Sequence, residues 1–253
     1  MPTPRRAPRD IGLCLLVPQV RALLDGEKLQ HRIPLDPQPG DHYRDGWYPD
    51  RYDRGSHWCM WGAAGTPQVN KMGMDLKVPF EIGDRAWVKE PFGFVPQPSP
   101  AAATMFDDHR STVGAAGMIG PDRISGITWK AHWNDGSQDY KWRSPAVMPK
   151  WASRLTLLVT DIRIERLHAM GEEEAVAEGT REPSWRSMGG ALAQAAMSEA
   201  QVFRRIWDFQ YGNGPAAWNE NPWVMRLDFE VHHRNVELAK AAGLNNAAAA
   251  QAA

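Results

Sequence analysis

Two short segments, far apart in the chain, carry the side chains best suited to chemistry. The first places Lys28, His31 and Arg32 close together after a short apolar stretch, and the second is an acidic helical turn that ends at Glu178. A cation and a carboxylate that meet in a cleft can hold a nucleobase or promote attack on an amide. These two segments are therefore the first candidates for a functional site.

The position of Glu178 in its predicted helix favours a functional role. Three glutamates, at positions 172–174, occupy the first turn, where the helix dipole stabilises negative charge, whereas Glu178 lies in the last turn, where the dipole disfavours it. Gly179 follows at the position where a glycine commonly ends a helix. Helix stability thus explains the first three glutamates but not Glu178, for which the alternative is an exposed surface side chain.

The spacing of Lys28 and His31 leaves several interpretations open. Side chains three residues apart face the same way in a helical turn and opposite ways in a straight strand. Lys28 can act as a base or hold a carbonyl or phosphate, or it can be a solvated surface lysine. His31 can be a general base oriented by Glu178, a stacking or hydrogen-bonding surface for a nucleobase, or a histidine that fills the mouth of a barrel.

Four further residues are candidates for contact with a nucleic acid or nucleotide. Arg32, Lys150 and Arg154 are expected to contact phosphate, and Trp151 lies between the last two as a stacking partner. The alternative is that Trp151 belongs to the core and that Lys150 and Arg154 are solvated.

The pattern of apolar residues predicts a mixed α+β chain that is mainly β. Strands are expected at 11–17, 56–61, 85–90, 127–133, 154–166 and 223–231. Helices are expected from Pro18 to Gly26, over 171–178 and over 192–209, the last with a buried stripe of Met197, Val202, Phe203, Ile206 and Trp207. Strands in this order, without a βαβ rhythm, favour one small β-barrel with covering helices over a doubly wound sheet.

Long segments without periodicity predict loops inserted into a single domain. The inserts are expected near 36–56, 95–126 and 180–191, within a domain that spans 11–235. Residues 1–10 are expected to be a flexible N-terminal segment, and 236–253 a flexible alanine-rich tail.

The overall composition excludes several classes of protein. The 253 residues include 29 Lys and Arg and 30 Asp and Glu, which argues against a protein that coats nucleic acid through bulk charge but not against a pocket for one nucleotide.

Cys14 and Cys59 lack metal-like spacing and are expected to be reduced, partly buried thiols of a cytoplasmic protein. The adjacent pair His232 and His233 suits a metal poorly, and the sequence has neither a P-loop nor a GxGxxG motif, so neither a metal nor a cofactor is expected. The apolar run after Asp10 is short for an export signal, and no run is long enough for a membrane span.

Five segments, in order, resemble the motifs of ASCH domains, and in particular those of phage and prophage members. They are residues 23–32, 83–90, 148–155, 172–179 and 221–224. The resemblance implies a PUA-like β-barrel, a turn at Lys28 and His31, and a cytoplasmic location in a bacterial or phage-infected cell. It also implies RNA, single-stranded nucleic acid or a modified nucleoside as the partner.

One branch of the family that the chain resembles consists of small amidohydrolases acting on N4-acetylcytidine through a lysine, a threonine and a glutamate. The resemblance puts Lys28 and Glu178 at the lysine and glutamate positions, while His31 stands where the threonine would be. Three functions therefore stay open. They are a non-catalytic module that binds RNA or a nucleotide, a hydrolase of a modified nucleobase with His31 in a new role, and a phage accessory protein that binds another protein through its inserts.

Overall fold

The structure is a computed structural model that describes residues 7–39, 47–52, 57–62, 74–76, 78–95, 126–132, 141–187 and 197–243. Its strands are β1 (Asp10–Cys14), β2 (Gln30–Pro34), β3 (Trp47–Tyr52), β4 (His57–Gly62), β5 (Met74–Leu76), β6 (Arg85–Lys89), β7 (Phe92–Val95), β8 (Gly126–Trp129), β9 (Thr156–Arg166) and β10 (Trp223–His232). Its α-helices are α1 (Val17–Leu24), α2 (Glu172–Ala177), α3 (Pro183–Ser187), α4 (Glu199–Tyr211) and α5 (Val236–Ala241). The predicted mixed α+β class is confirmed.

A mixed sheet of five strands, in the order β1-β6-β9-β10-β2, is the largest in the described part of the chain. Strand β1 runs parallel to β6, whereas β9 pairs antiparallel with β6 and β2 pairs antiparallel with β10. Two smaller sheets consist of β3-β4-β5 and β7-β8. Among the described strands no sheet closes into a barrel, because β1 and β2 remain the two edges of the large sheet. The PUA-like barrel is therefore not confirmed.

The strand predicted at 127–133 is confirmed in its first part, but it lies in another sheet than expected. Gly126–Trp129 is extended and pairs with β7 instead of joining the five-stranded sheet, and position 133 lies outside the described residues. Residues Lys130–His132 form a 3-10 turn. Ile127 and Trp129 are buried against Phe92 and Met148 in a local apolar cluster, which gives this short strand its own core.

The chain divides into two compact units by spatial proximity. Unit 1 comprises Met1–Ala7, Gln30–Ile82 and Val159–Asp228, and unit 2 comprises Pro8–Leu29, Gly83–Leu158 and Phe229–Ala253. The expectation of one domain over 11–235 stays a prediction.

The core of unit 1 forms where helices α2 and α4 meet the strands. Its buried cluster contains Leu167, Ala175, Phe203, Trp207 and Val224. The predicted stripe of α4 is confirmed at Val202, Phe203, Ile206 and Trp207, but the helix starts at Glu199 and not at 192. Ser198 is the reason: it accepts a hydrogen bond from the Gln201 N–H, and the Gln201 side chain accepts one from the Ser198 N–H. Met197 precedes the helix, and 188–196 lies outside the described residues.

Helix α1 covers Val17–Leu24, close to the predicted range from Pro18 to Gly26. Pro18 lies in its first turn, where no intrahelical N–H is needed, and Gly26 follows its end with a φ of 72°. Because the helix already starts at Val17, the preceding strand stops at Cys14, so the strand predicted over 11–17 is three residues too long at its end. Cys14 is exposed, which makes the expectation of a partly buried thiol wrong there.

Three segments predicted as loops or tail contain regular structure. Strand β3 lies within the predicted insert at 36–56, and helix α3 lies within the one at 180–191. Helix α5 occupies the start of the supposed tail, with Val236 and Ala239 fully buried, so the prediction of a flexible tail is wrong for this part. Most of the predicted insert at 95–126 lies outside the described residues. No helix in the described part of the chain is long and apolar enough to cross a membrane.

Candidate functional site

Glu178 is held at the end of helix α2 by local backbone structure. The carboxylate of Glu174 accepts a hydrogen bond of 3.0 Å from the Gly171 N–H at the start of this helix. At the other end, the Glu178 N–H donates to the Glu174 carbonyl at 3.1 Å, and Gly179 adopts a φ of 84°. The predicted helix-ending glycine is thus confirmed. Glu178 is buried, with 3 % of its surface exposed, so its interpretation as an exposed surface glutamate is wrong.

His31 and Arg32 lie on strand β2 and not in a turn. His31 is opposite Leu227 and Arg32 is opposite Arg226 on the neighbouring strand β10. Both side chains are buried. The turn that the family resemblance implies for Lys28 and His31 is therefore wrong at His31, because the chain becomes extended from Gln30 onward.

Arg32 is the centre of an ionic cluster in unit 1. Its Nη1 donates to Glu178 Oε1 at 3.1 Å, and its Nε and Nη2 donate to Glu165 Oε1 at 3.0 and 2.8 Å. Its Nη2 also lies 3.4 Å from Glu174 Oε2. A charged group buried to this degree requires such partners, because the loss of hydration is otherwise too costly.

Arg226 extends this network along strand β10. Its Nη1 donates to Glu174 Oε1 at 2.6 Å and lies 3.9 Å from Glu165 Oε2, and its Nη2 donates to Asp228 Oδ2 at 3.0 Å. Burial alone would lower the pKa of Arg226, but the Asp228 hydrogen bond and the charges of Asp228, Glu165 and Glu174 raise it. We call the six residues the carboxylate cluster: Arg32, Arg226, Glu165, Glu174, Glu178 and Asp228.

The second oxygen of Glu178 faces the imidazole of His31. The distance from Glu178 Oε2 to His31 Nδ1 is 3.8 Å, which is within ion-pair range but longer than a hydrogen bond. Arg32 thus holds one oxygen of the carboxylate while the other points to a titratable ring. This arrangement suits a carboxylate that orients a histidine or that accepts hydrogen bonds from a bound group.

Tyr211, at the end of helix α4, is a further residue of this region that the sequence did not reveal. Burial raises the pKa of its phenol, and the negative charge of Glu178 raises it further. Its ring packs on Trp207, with 4.6 Å between the ring centroids. The phenol therefore stays protonated at neutral pH within electrostatic reach of Glu178.

Lys28 belongs to unit 2 and is fully buried. It follows helix α1, and its N–H donates to the Ala22 carbonyl at 3.0 Å. Its interpretation as a solvated surface lysine is therefore wrong. The expected approach of Lys28 to Glu178 stays a prediction.

Arg154, which was expected to contact phosphate or solvent, is enclosed in unit 2. Its Nε and Nη2 donate to the two oxygens of Glu90 at 2.8 and 2.9 Å, and both residues are 1 % exposed. The guanidinium also lies 4.8 Å from the Trp129 ring centroid and contacts His132 Nε2. These contacts give Arg154 a structural role, because phosphate would have to displace Glu90 to reach it.

The other two candidates from this segment lie closer to the surface. Trp151 is half-buried and packs against the apolar cluster of unit 2, which favours its interpretation as a core residue. Lys150 keeps about a third of its side chain exposed, and its Nζ lies 2.5 Å from both Asp10 Oδ2 and Glu237 Oε1. Lys150 therefore remains a charged side chain that solvent can reach, whereas Trp151 is mainly engaged in apolar packing.

The sequence did not reveal Arg226 and Glu165 as part of the site. The sequence signal that could have identified them is a charged residue within a largely apolar strand. Arg226 lies among apolar residues of strand β10, and Glu165 lies near the end of β9, the longest of the described strands. Such residues are buried only with a partner, but the sequence does not say which. Within the described residues, no group of three or more His, Cys, Asp and Glu side chains is arranged to hold a metal ion.

No protein-family model matches this chain, and comparison with curated proteins and with solved structures found no match.

Proposed function

We propose that this chain is an ASCH-type module that binds RNA or a modified nucleotide, with His31 and Glu178 as ligands of the base. The observation that carries the proposal is the orientation of the Glu178 carboxylate, which Arg32 holds by one oxygen while the other faces His31. Arg32, Lys150 and Trp151 were expected to take part as well, but Arg32 acts here through Glu178. The family resemblance adds Lys28 as a further ligand.

The chemistry of a fixed carboxylate fits the edge of a nucleobase. A carboxylate accepts hydrogen bonds only, so it selects groups that carry N–H donors, such as the amino group of cytosine. An imidazole beside it can stack on a base or bond to its edge, as in the recognition of unpaired nucleotides. Arg32 already has Glu165 and Glu174 as partners, so neutralising Arg32 does not by itself explain why Glu178 is buried there.

A second candidate function is hydrolysis of an acylated or otherwise modified nucleobase. The observation that favours it is the proximity of Glu178 to His31, because a carboxylate beside an imidazole can orient it as a general base. His31 would then take a proton from water as the water adds to the amide carbon. The C–N bond would break, and the amino group would leave with a proton returned by the imidazole. The burial of Lys28 is compatible with a role at the carbonyl oxygen.

The experiment is incubation of the protein with a panel of modified nucleosides and short RNAs, read by mass for both retention and turnover. Retention without turnover supports the binding module, and release of an acyl group supports the hydrolase. In Glu178→Gln, retention should fall at least about tenfold, because one hydrogen bond to a charged group is lost.

The matched control is Glu165→Gln. This variant removes another carboxylate that binds Arg32, but it leaves the Glu178 carboxylate beside His31 unchanged. It should retain ligand within about twofold of the unaltered protein. Equal losses in both variants would contradict the proposal, since the cluster would then act only by holding the fold. Melting temperatures of both variants separate loss of binding from loss of structure.

A further inference from the structure

One face of the sheet in unit 2 combines an aromatic ring with several cations. Strands β1 and β6 are parallel, and Asp10, Gly12 and Cys14 lie opposite Arg85, Trp87 and Lys89. The alternate residues Leu13, Ala86 and Val88 are buried and apolar, so they face the core. We call this side of the two strands the β1–β6 face: Asp10, Gly12, Arg85, Trp87 and Lys89, together with Lys150 and Lys240, which reach Asp10. Arg85 is buried, with 3 % of its surface exposed, so it pairs with Asp10 but is not itself accessible to a ligand.

The absence of a side chain at Gly12 lets the indole of Trp87 pack directly against the backbone of β1. A Cβ atom at Gly12 would lie only 2.9 Å from Trp87 Cζ2 and 2.9 Å from Lys89 Cδ, so both side chains rest on bare backbone. Lys89 Nζ lies 5.4 Å from the Trp87 ring centroid and donates to the Ala146 carbonyl at 2.6 Å. Trp87 itself is half-buried and Gly12 is exposed, so solvent reaches this part of the face.

The cations of this face are arranged around a single carboxylate. Asp10 lies 2.7 Å from Arg85 Nε and 2.5 Å from the Nζ atoms of Lys150 and Lys240. Burial would raise the pKa of Asp10, but these three partners lower it to about 2. Glu237 contacts the same two lysines. Among the described residues, the partly exposed Lys89, Lys150 and Lys240 thus stand with the buried Arg85 against two carboxylates.

Hydrogen bonds of Asn235 link the backbone segment that carries Lys150 to the helix that carries Lys240. The Asn235 amide donates to the carbonyls of Lys150, Trp151 and Ser153 at 3.0, 3.2 and 2.8 Å. Asn235 also begins helix α5, because its side chain accepts from the Glu237 N–H at 2.9 Å. Lys240, on this helix, is therefore fixed beside Lys150, and each keeps about a third of its side chain exposed.

We propose that the β1–β6 face binds single-stranded nucleic acid, with a base stacked at Trp87 and backbone phosphates held by Lys89, Lys150 and Lys240. The three partly exposed lysines select a polyanion, and the partly exposed ring of Trp87 selects one whose bases are unpaired. A double helix offers no exposed base to stack on, and an anionic membrane or acidic protein requires no ring at this position. The face lies entirely in unit 2, so this site does not depend on the function proposed for unit 1.

The test is fluorescence anisotropy of a labelled oligouridine of about 12 nucleotides, a length within the range that single-strand-binding folds cover. The double variant Lys89→Gln/Lys240→Gln should weaken binding at low salt at least about tenfold. It should also reduce the dependence of log K on log salt by about 1.4, since each phosphate contact on a single strand contributes about 0.7. Trp87→Leu should weaken binding at least about fivefold, whereas Trp87→Phe should retain most of it.

The control is Lys130→Gln, which removes an exposed lysine of the same unit outside this face and should leave binding within about twofold. Oligothymidine in place of oligouridine tells whether the face distinguishes RNA from DNA, and binding of either strand supports the proposal. Failure of the unaltered protein to bind either strand would overturn it, as would equal binding by the folded double-lysine variant. Binding to anionic vesicles but to neither oligonucleotide would also overturn it.

Discussion

The ionic clusters of the two units differ in the balance of their charges. In unit 1, two arginines contact four carboxylates, and the second oxygen of Glu178 is turned to His31. In unit 2, Arg154 and Glu90 form a matched pair in which both carboxylate oxygens accept from one guanidinium. Arg32 and Arg154 are equally buried, and the sequence suggested the same role for both.

The difference separates a structural pair from a candidate binding site. A one-to-one pair that satisfies both partners has little left to offer a ligand, and the Trp129 ring covers the guanidinium. In the carboxylate cluster, the acids outnumber the arginines, and one acid has an oxygen directed to a titratable ring. Around Asp10 the imbalance is reversed, because three cations converge on one carboxylate. We therefore expect ligands with N–H donors in unit 1 and anionic ligands in unit 2.

The largest effect is expected from breaking the matched pair in unit 2. Glu90→Gln should lower the free energy of unfolding by about 3–5 kcal/mol, because it leaves the buried charge of Arg154 without its partner. Urea unfolding measures the change. The double variant Glu90→Leu/Arg154→Met should recover most of the loss, since it removes both charges. A loss below about 1 kcal/mol for the single variant would mean that this pair is not a structural element.

A smaller loss of stability is expected in the carboxylate cluster of unit 1. Glu178→Gln should lower the free energy of unfolding by about 1–2 kcal/mol, because Arg32 retains Glu165 and Glu174 as partners. The same urea titration, run beside the Glu90 variant, provides the comparison. If Glu178→Gln costs as much stability as Glu90→Gln, the distinction between a structural pair and a binding site fails.

The smallest effect concerns the acid dependence of stability at Asp10. Its pKa in the folded protein lies at about 2, below the ordinary value of 3.8. A lowered pKa stabilises the fold above the ordinary value, and this stabilisation is lost as the pH falls toward 2. Because Lys150 and Lys240 are partly exposed to solvent, we expect a contribution of only about 1 kcal/mol.

Asp10→Asn should remove this part of the acid dependence. Urea unfolding above and within the window from pH 3.8 to pH 2 compares the variant with the unaltered protein. The difference in stability between the two proteins should shrink as the pH falls. A constant difference across the window would show that the three cations do not stabilise the ionised carboxylate.

The sequence determined the features that depend on near neighbours. Pro18 lies in the first turn of helix α1 and Gly26 follows its end, as predicted. Gly179 likewise ends helix α2 with a positive φ. Such end signals are readable from sequence because helix capping involves residues within one turn. The buried stripe of α4 follows from its 3.6-residue period. The position of Glu178 in the last turn of its helix suggested a functional role, which stays a prediction; the structure shows that Glu178 is buried and accepts a hydrogen bond from Arg32.

The partners of the charged residues were decided only by the tertiary structure. Arg32 meets Glu165 and Arg154 meets Glu90, at separations of 133 and 64 residues. Each arginine is followed by an aliphatic residue, Ile33 or Leu155, and the neighbouring sequence does not indicate that Arg32 joins the carboxylate cluster while Arg154 forms a one-to-one pair with Glu90. The pairing depends on strand order and register, such as Arg32 opposite Arg226, which long-range packing of the whole chain fixes.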